Sequence, residues 1–311
     1  METRGLSSGT GSPRHPSACV NRLSFLVTIT IISPESLKQQ CAAERNRPIV
    51  IDARPIEEYT AGHIPGAIHM AWSAWCAVPP DGASDELRQP GYWGSLADHS
   101  LGWVEEQLGA HGISSDHPIV VYADGVHSRG REGRIAWMLL YFGACRVSLL
   151  DGGLQGWLET GGTLDTALPR LEPQRFCVDV QIERRWTLLT DPDLDGEDGA
   201  PLLVDTRSPA EFEGQAYRYQ PRMGHLPSAV LVPFDSLFHA SGRYVALDTY
   251  RERIASNVEG ASCLVAYCEV GVRACTFALL HEAYTGEIVS VYDGSIMEWG
   301  LYPELSVVSG R

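Results

Sequence analysis

The chain repeats itself once, and this duplication limits its possible folds more than any other feature. Pro48-Ile49-Val50-Ile51-Asp52-Ala53-Arg54 returns 153 positions later as Pro201-Leu202-Leu203-Val204-Asp205-Thr206-Arg207. Glu58-Tyr59 returns as Glu211-Phe212, and Gly62-His63-Ile64-Pro65 returns as Gly224-His225-Leu226-Pro227 after nine inserted residues. Val121-Tyr122 and Ala266-Tyr267 each close an apolar stretch, followed by a loop and a helix-like segment ending at Gly143 or Gly286. Val147 to Asp151 and Val289 to Asp293 supply a further strand in each half. Asp151-Gly152-Gly153 then precedes Trp157 as Asp293-Gly294-Ser295 precedes Trp299.

Short apolar strands alternating with segments of helical period predict βαβ units around a mainly parallel sheet, flanked by helices, twice over. Sheets of this kind place ligands at the carboxyl ends of their strands. With 311 residues and 44% hydrophobic content, the chain is long enough for two cores. Thr163 to Arg185 contains Pro169 and Pro173 and few apolar runs. The expected division is therefore a tail over 1–20, a first domain over 21–165, a linker over 166–185 and a second domain over 186–308.

Residues 1–20 are rich in Ser, Gly, Pro and Arg, and ordering them would cost entropy that little burial offsets, so they are expected to be disordered. The ten apolar residues from Leu23 to Ile32 are too short to span a bilayer. Their alternating Thr28, Ile29, Thr30, Ile31, followed by Ser33-Pro34-Glu35, predict a strand running into a capped helix. The other reading makes residues 1–32 a targeting segment for export or an organelle. A formal charge of −15 disfavours nucleic acid and anionic membrane as partners, since both require a basic surface. The eight cysteines contain no C-x-x-C pair and no zinc spacing, which suits buried thiols in a reducing, cytoplasmic compartment and predicts no metal site.

The segment richest in chemistry is Leu264-Val265-Ala266-Tyr267-Cys268-Glu269-Val270-Gly271-Val272-Arg273-Ala274, which reads as strand, tight loop, helix. A cysteine there faces unpaired backbone N–H donors and the positive end of the helix dipole, which favour thiolate over thiol. Gly271 permits a tight turn, and Arg273 is expected to curl back over the loop and hold an anionic sulfur donor. The plainer reading is an inert buried thiol at a strand end.

Cys-x-x-Gly-x-Arg-Ala after a buried strand resembles the active loop of the rhodaneses, the thiosulfate and 3-mercaptopyruvate sulfurtransferases. The resemblance extends over roughly residues 25 to 305. It also rests on both Asp-x-Arg strand ends, both Gly-His-x-Pro turns and both Asp-Gly turns ahead of Trp. It implies two tandem rhodanese-like domains. It also implies covalent transfer in which Cys268 takes a sulfane sulfur as a persulfide and Glu269, Val270, Gly271, Val272, Arg273 and Ala274 cradle it. A small-molecule donor and a thiol or cyanide acceptor, thioredoxin among them, follow from the same resemblance, and no cofactor is required. The matching loop of the first half, Tyr122-Ala123-Asp124-Gly125-Val126-His127-Ser128-Arg129-Gly130-Arg131-Glu132, has Asp124 close to where the cysteine would stand, a carboxylate that cannot hold a sulfane sulfur, and is two residues longer. The first domain is therefore expected to be catalytically silent.

The sequence departs from the family pattern in places. Basic residues after the cysteine suit thiosulfate, and Gly-Ser/Thr-Gly-Val-Thr suits mercaptopyruvate, but Glu269-Val270-Gly271-Val272-Arg273 matches neither. Glu269 repels a dianionic donor, so thiosulfate activity is expected to be modest. The missing hydroxyls at 270 and 273 make mercaptopyruvate the second choice. In the nine-residue insertion, Arg218 and Arg222 stand where such enzymes often place substrate-anion arginines, with Arg222 the better match. Glu211 is expected to pair with Arg207. His63 and His225 are assigned to structure, because their turn recurs in the silent half, and Trp157 and Trp299 to the core. A cysteine phosphatase or arsenate reductase is the nearest enzyme alternative, but its loop needs five residues between Cys and Arg, and Cys268 and Arg273 enclose four. A non-catalytic interaction module is the alternative from another class.

Overall fold

The computed structural model describes residues 28–43, 45–188, 201–216 and 219–310. The expected tail over 1–20, most of the possible targeting segment and Arg218 lie outside the described residues. The fold is α/β. The first sheet is built from β1 (Thr28–Ile32), β2 (Ile49–Asp52), β3 (Ile68–His69), β4 (Pro118–Tyr122) and β5 (Arg146–Leu150). The second is built from β6 (Arg185–Trp186), β7 (Leu202–Asp205), β8 (Val230–Leu231), β9 (Leu264–Tyr267) and β10 (Ser290–Tyr292). Every pairing in both sheets is parallel. The orders are β1-β5-β4-β2-β3 and β6-β10-β9-β7-β8, one topology used twice.

The apolar run ending at Ile32 is a strand from Thr28 onward, paired in register with Arg146–Leu150. Ser33 caps the following helix by accepting from the Ser36 N–H at 3.2 Å. The helices α1 (Pro34–Ala42), α2 (Ile56–Ala61), α3 (Leu101–Ala110), α4 (Arg131–Tyr141) and α5 (Gly153–Glu159) flank the first sheet. The helices α6 (Pro209–Phe212), α7 (Leu247–Arg253), α8 (Val272–Thr285) and α9 (Ser295–Trp299) flank the second. No helix among the described residues is long and apolar enough to cross a membrane.

The repeated motifs are structural joints built in the same way in both halves. Arg54 and Arg207 each clasp the carboxylate at the end of their own strand, Asp52 at 2.7 Å and Asp205 at 2.6 Å. Each also donates to the glycine carbonyl of its Gly-His turn, Gly62 or Gly224, at 2.7 Å. The rings of His63 and His225 stack on Tyr59 and Phe212, and their Nδ1–H groups donate to the Tyr59 and Phe212 carbonyls. Trp157 and Trp299 are buried and donate from Nε1 to the Thr163 and Ser306 carbonyls at 2.9 Å. Glu211 does not pair with Arg207, contrary to expectation. Asp205 saturates that guanidinium from two residues away, whereas Glu211 is turned toward α8.

The halves meet through α4 and α8, and polar side chains cross the junction. Arg184 pairs with Glu282 at 2.6 Å. The Asp293 carboxylate accepts the Leu96 N–H at 2.7 Å and faces Arg185 at 3.1 Å and Arg134 at 3.8 Å. Glu132 on α4 accepts the Tyr244 hydroxyl at 3.2 Å. Burial pushes the Glu132 carboxyl up to about 7, against the opposing pull of Ser128, its own backbone and Tyr244. The folded state therefore holds this proton more tightly than the unfolded chain. Its stabilising effect is complete below the usual 4.5 and is lost as pH rises through 7, a change of about 3 kcal/mol. Glu132→Gln is expected to flatten the fall in unfolding free energy between pH 5 and pH 8, measured by urea denaturation. Parallel slopes for the two proteins would refute the assignment.

Candidate active site between the two halves

Cys268 stands one residue beyond the carboxyl end of β9 and is 1% exposed. Glu269 and Val270 follow it, and the chain turns at Gly271 (φ 74°) into α8. Only glycine fits that turn, because a Cβ there would lie 2.6 Å from the Asp293 backbone. The N–H groups of Val270, Gly271, Val272 and Arg273 take no acceptor among the described residues, which leaves a row of donors along the loop. The Cys268 N–H is used differently. It donates to the Ser295 hydroxyl at 3.1 Å, which itself donates to the Tyr292 carbonyl at 2.8 Å. Ser295 sits at φ 54°, where the first half has Gly153 at φ 55°. The left-handed serine costs on the order of 1 kcal/mol, and its hydroxyl fixes the backbone of the cysteine.

Cys268 opens into a cavity of about 580 Å3 that both halves line. The second half contributes Cys268, Glu269, Val270, Val272 and Arg273, and the first contributes Arg54, His69, Trp72, Arg129 and Arg131 among others. Tyr219 also lines it, its ring 4.6 Å from that of Tyr92. Of the residues expected at the site, Gly271 and Ala274 do not line the cavity: Gly271 makes the turn and Ala274 is buried in α8.

Two expectations need correction. Arg222 is not at the cavity. Its two terminal guanidinium nitrogens donate to the carbonyls of Leu305 (2.6 Å), Trp299 (3.1 Å) and Tyr302 (2.9 Å) and so tie down the C-terminal segment. Arg273 lines the cavity, but a bidentate pair with Glu211 at 2.8 and 2.9 Å satisfies its charge, with Glu269 at 3.7 Å. The immediate surroundings of the cysteine thus hold two carboxylates and one guanidinium.

The matching loop of the first half repeats this arrangement in its hydrogen bonds. Ala53 N–H donates to Tyr122 O as Thr206 N–H does to Tyr267 O, and Leu154 N–H to Ala123 O as Ile296 N–H does to Cys268 O. Ala123, one residue before the expected Asp124, therefore occupies the position of the cysteine, and Asp124 takes that of Glu269. The extra length is taken up by a 3-10 turn over Gly125–Ser128, which delays α4 until Arg131 and carries Arg129 and Arg131 to the cavity. The lengthening is visible in the sequence, but nothing local to it places the two arginines at the cavity.

The first half also buttresses the loop. A Cβ on Gly94 would lie 1.8 Å from the Val270 carbonyl oxygen, so Gly94→Ala is expected to displace the loop while leaving both cores folded. Displacement of this size costs turnover on the order of 10²-fold. Rate measurements alongside circular dichroism test this. An unchanged rate would mean that the loop position is irrelevant.

The rhodanese-like domain family matches residues 33–160 and 192–301. The chain is 31% identical over 294 residues to a Pseudomonas aeruginosa protein named "Probable 3-mercaptopyruvate sulfurtransferase", with 88% of this chain and 96% of that protein covered. It is 28% identical to the mitochondrial thiosulfate/3-mercaptopyruvate sulfurtransferase 1 of Arabidopsis thaliana, with 82% of this chain and 70% of that protein covered. Among solved structures, an anaerobic ergothioneine biosynthesis enzyme from Chlorobium limicola shares the fold. Its TM-score is 0.75 at 22% identity, covering 90% of this chain and 70% of that one.

Proposed function

The chain belongs to the rhodanese-like domain family in both of its halves, and from that premise we propose that it is a sulfurtransferase whose nucleophile is Cys268. The observation that carries this reading is the position of Cys268: at a strand end, ahead of a helix, on a loop with unclaimed N–H donors, and open to a cavity. The relatives' names point to thiosulfate or 3-mercaptopyruvate as donor. The Cys268 thiolate attacks the donor's sulfane sulfur, forming a new S–S bond. The donor's bond to that sulfur breaks, and its electron pair leaves with sulfite when the donor is thiosulfate. The loop N–H groups and the α8 N-terminus stabilise the resulting perthiolate. Cyanide, a small thiol or a protein thiol such as thioredoxin then removes the outer sulfur and returns the thiolate.

The test is to supply thiosulfate and, separately, 3-mercaptopyruvate, follow thiocyanate after cyanide addition, and weigh the donor-treated protein. A mass gain of one sulfur atom together with turnover is expected, and the ratio of rates assigns the donor. Neither adduct nor turnover with either donor would remove the reading and favour a binding module.

A further inference from the structure

Four arginines line the cavity that holds Cys268: Arg54, Arg129, Arg131 and Arg273. Two are neutralised within the protein, Arg54 by Asp52 at 2.7 Å and Arg273 by Glu211 at 2.8 Å. Arg129 and Arg131 form no ion pair with any described residue, and both come from the lengthened loop of the silent half. Arg129 adopts φ 55° and projects an exposed side chain, while Arg131 opens α4. Tyr219 lies within electrostatic reach of both Glu269 and Arg129, which act on its phenol in opposite directions. Arg129 and Arg131 thus bring unpaired positive charge to the same cavity that Cys268, Glu269 and Tyr219 line.

This distribution sorts ligands by where they carry their charge. Thiosulfate holds its two negative charges on the transferred sulfur and within two bonds of it, beside Glu269 and Glu211. An organic thiol bearing a carboxylate several bonds from its sulfur can place the sulfur at Cys268 and the charge on the free arginines. A volume of about 580 Å3 lies in the range that accommodates small organic ligands, about 300 to 1,000 Å3.

Resting on the persulfide reading above, we propose that Arg129 and Arg131 of the silent half anchor the carboxylate of an organic thiol acceptor that takes its sulfur from Cys268. The acceptor thiolate attacks the outer sulfur of the Cys268 persulfide and forms a new S–S bond. The bond to the Cys268 sulfur breaks, and its electron pair remains there as thiolate. The outer sulfur leaves with its hydrogen as the acceptor's persulfide, and no oxidant or reductant is consumed. Arginines that engage a carboxylate give charge-assisted hydrogen bonds, which a neutral thiol cannot use.

The experiment loads the protein with thiosulfate, removes the donor, and discharges the persulfide with 3-mercaptopropionate or with neutral 2-mercaptoethanol. The ratio of the two second-order rate constants is then compared between wild type and the double variant Arg129→Ala, Arg131→Ala. Comparing ratios cancels the intrinsic reactivity of the thiols. The ratio is expected to fall at least about tenfold in the variant, and a ratio within about twofold of wild type would overturn the proposal. A second measurement does not depend on sulfur transfer. Cys268→Ser protein, with and without the two alanines, is titrated with 3-(methylthio)propionate and followed by tryptophan fluorescence. Weaker binding by roughly tenfold with the alanines supports the anchor, and equal binding overturns it. Should no persulfide form at all, the sulfurtransferase reading fails by itself, and the titration still decides the anchor.

Discussion

Cys268→Ser is expected to bring thiocyanate formation down to the solution background, a loss on the order of 10³-fold or more, and to abolish the one-sulfur mass gain. A serine hydroxyl is not ionised at neutral pH and forms no persulfide. Cys268 is buried, and oxygen replaces sulfur almost isosterically, so the melting transition should move by no more than about 1–2 kcal/mol. Cys275 lies nearby but cannot substitute. Its thiol donates to the Gly271 carbonyl at 3.0 Å, is fully buried, and is pushed up to about 12 by burial. Cys275→Ala should therefore retain the adduct. A wild-type rate in Cys268→Ser would mean that the nucleophile has been misassigned.

Glu211→Gln is expected to change both stability and donor preference. Burial alone would raise the Glu211 carboxyl, but the bidentate Arg273 and the Ser208 N–H and hydroxyl hold it down at about 2. A carboxyl depressed from 4.5 to about 2 contributes about 3 kcal/mol. That contribution is complete above pH 4.5 and disappears as pH falls toward 2. The variant should lose stability at pH 7 while becoming less sensitive to acid below pH 4.5, as acid titrations of the folded fraction would show. The change also leaves Arg273 with only Glu269 as a partner at 3.7 Å, so the loop becomes more cationic. Relative kcat/KM for thiosulfate against a carboxylate donor should rise several-fold. If the donor ratio stays fixed, Arg273 is not felt at the sulfur.

The duplicated βαβ order, both Asp-Arg strand ends and the strand-loop-helix around Cys268 were legible because they depend on residues close in sequence. Hydrophobic period 2 or 3.6 sets an element, and a glycine directly after an aspartate (Gly152, Gly294) or three residues past the cysteine (Gly271) sets its turn. The structural role of His63 and His225 is legible by the same logic, since their turn recurs in the half whose matching loop has no cysteine. Charge pairing was not legible in this way. Glu211 and Arg273 are 62 positions apart, and nothing local distinguishes Asp205 from Glu211 as a partner for Arg207. Arg222 was misplaced because a guanidinium is satisfied equally well by substrate anions or by carbonyls at the C-terminal end, and only the path of residues 299–305 decides between them.

The amino-acid sequence by itself determined two parallel sheets and a cysteine at the strand-loop-helix junction of one half with none at the matching junction of the other, because periodicity, turn chemistry and residue identity act over a few positions. The tertiary structure alone decided which charges face that cysteine. It turns Arg273 onto Glu211, and it brings Arg129 and Arg131 of the first half to the cavity that Cys268 lines. The physical reason is range: secondary structure follows from neighbours along the chain, whereas Coulomb and hydrogen-bond energies depend on distances that exist only after the two halves have packed.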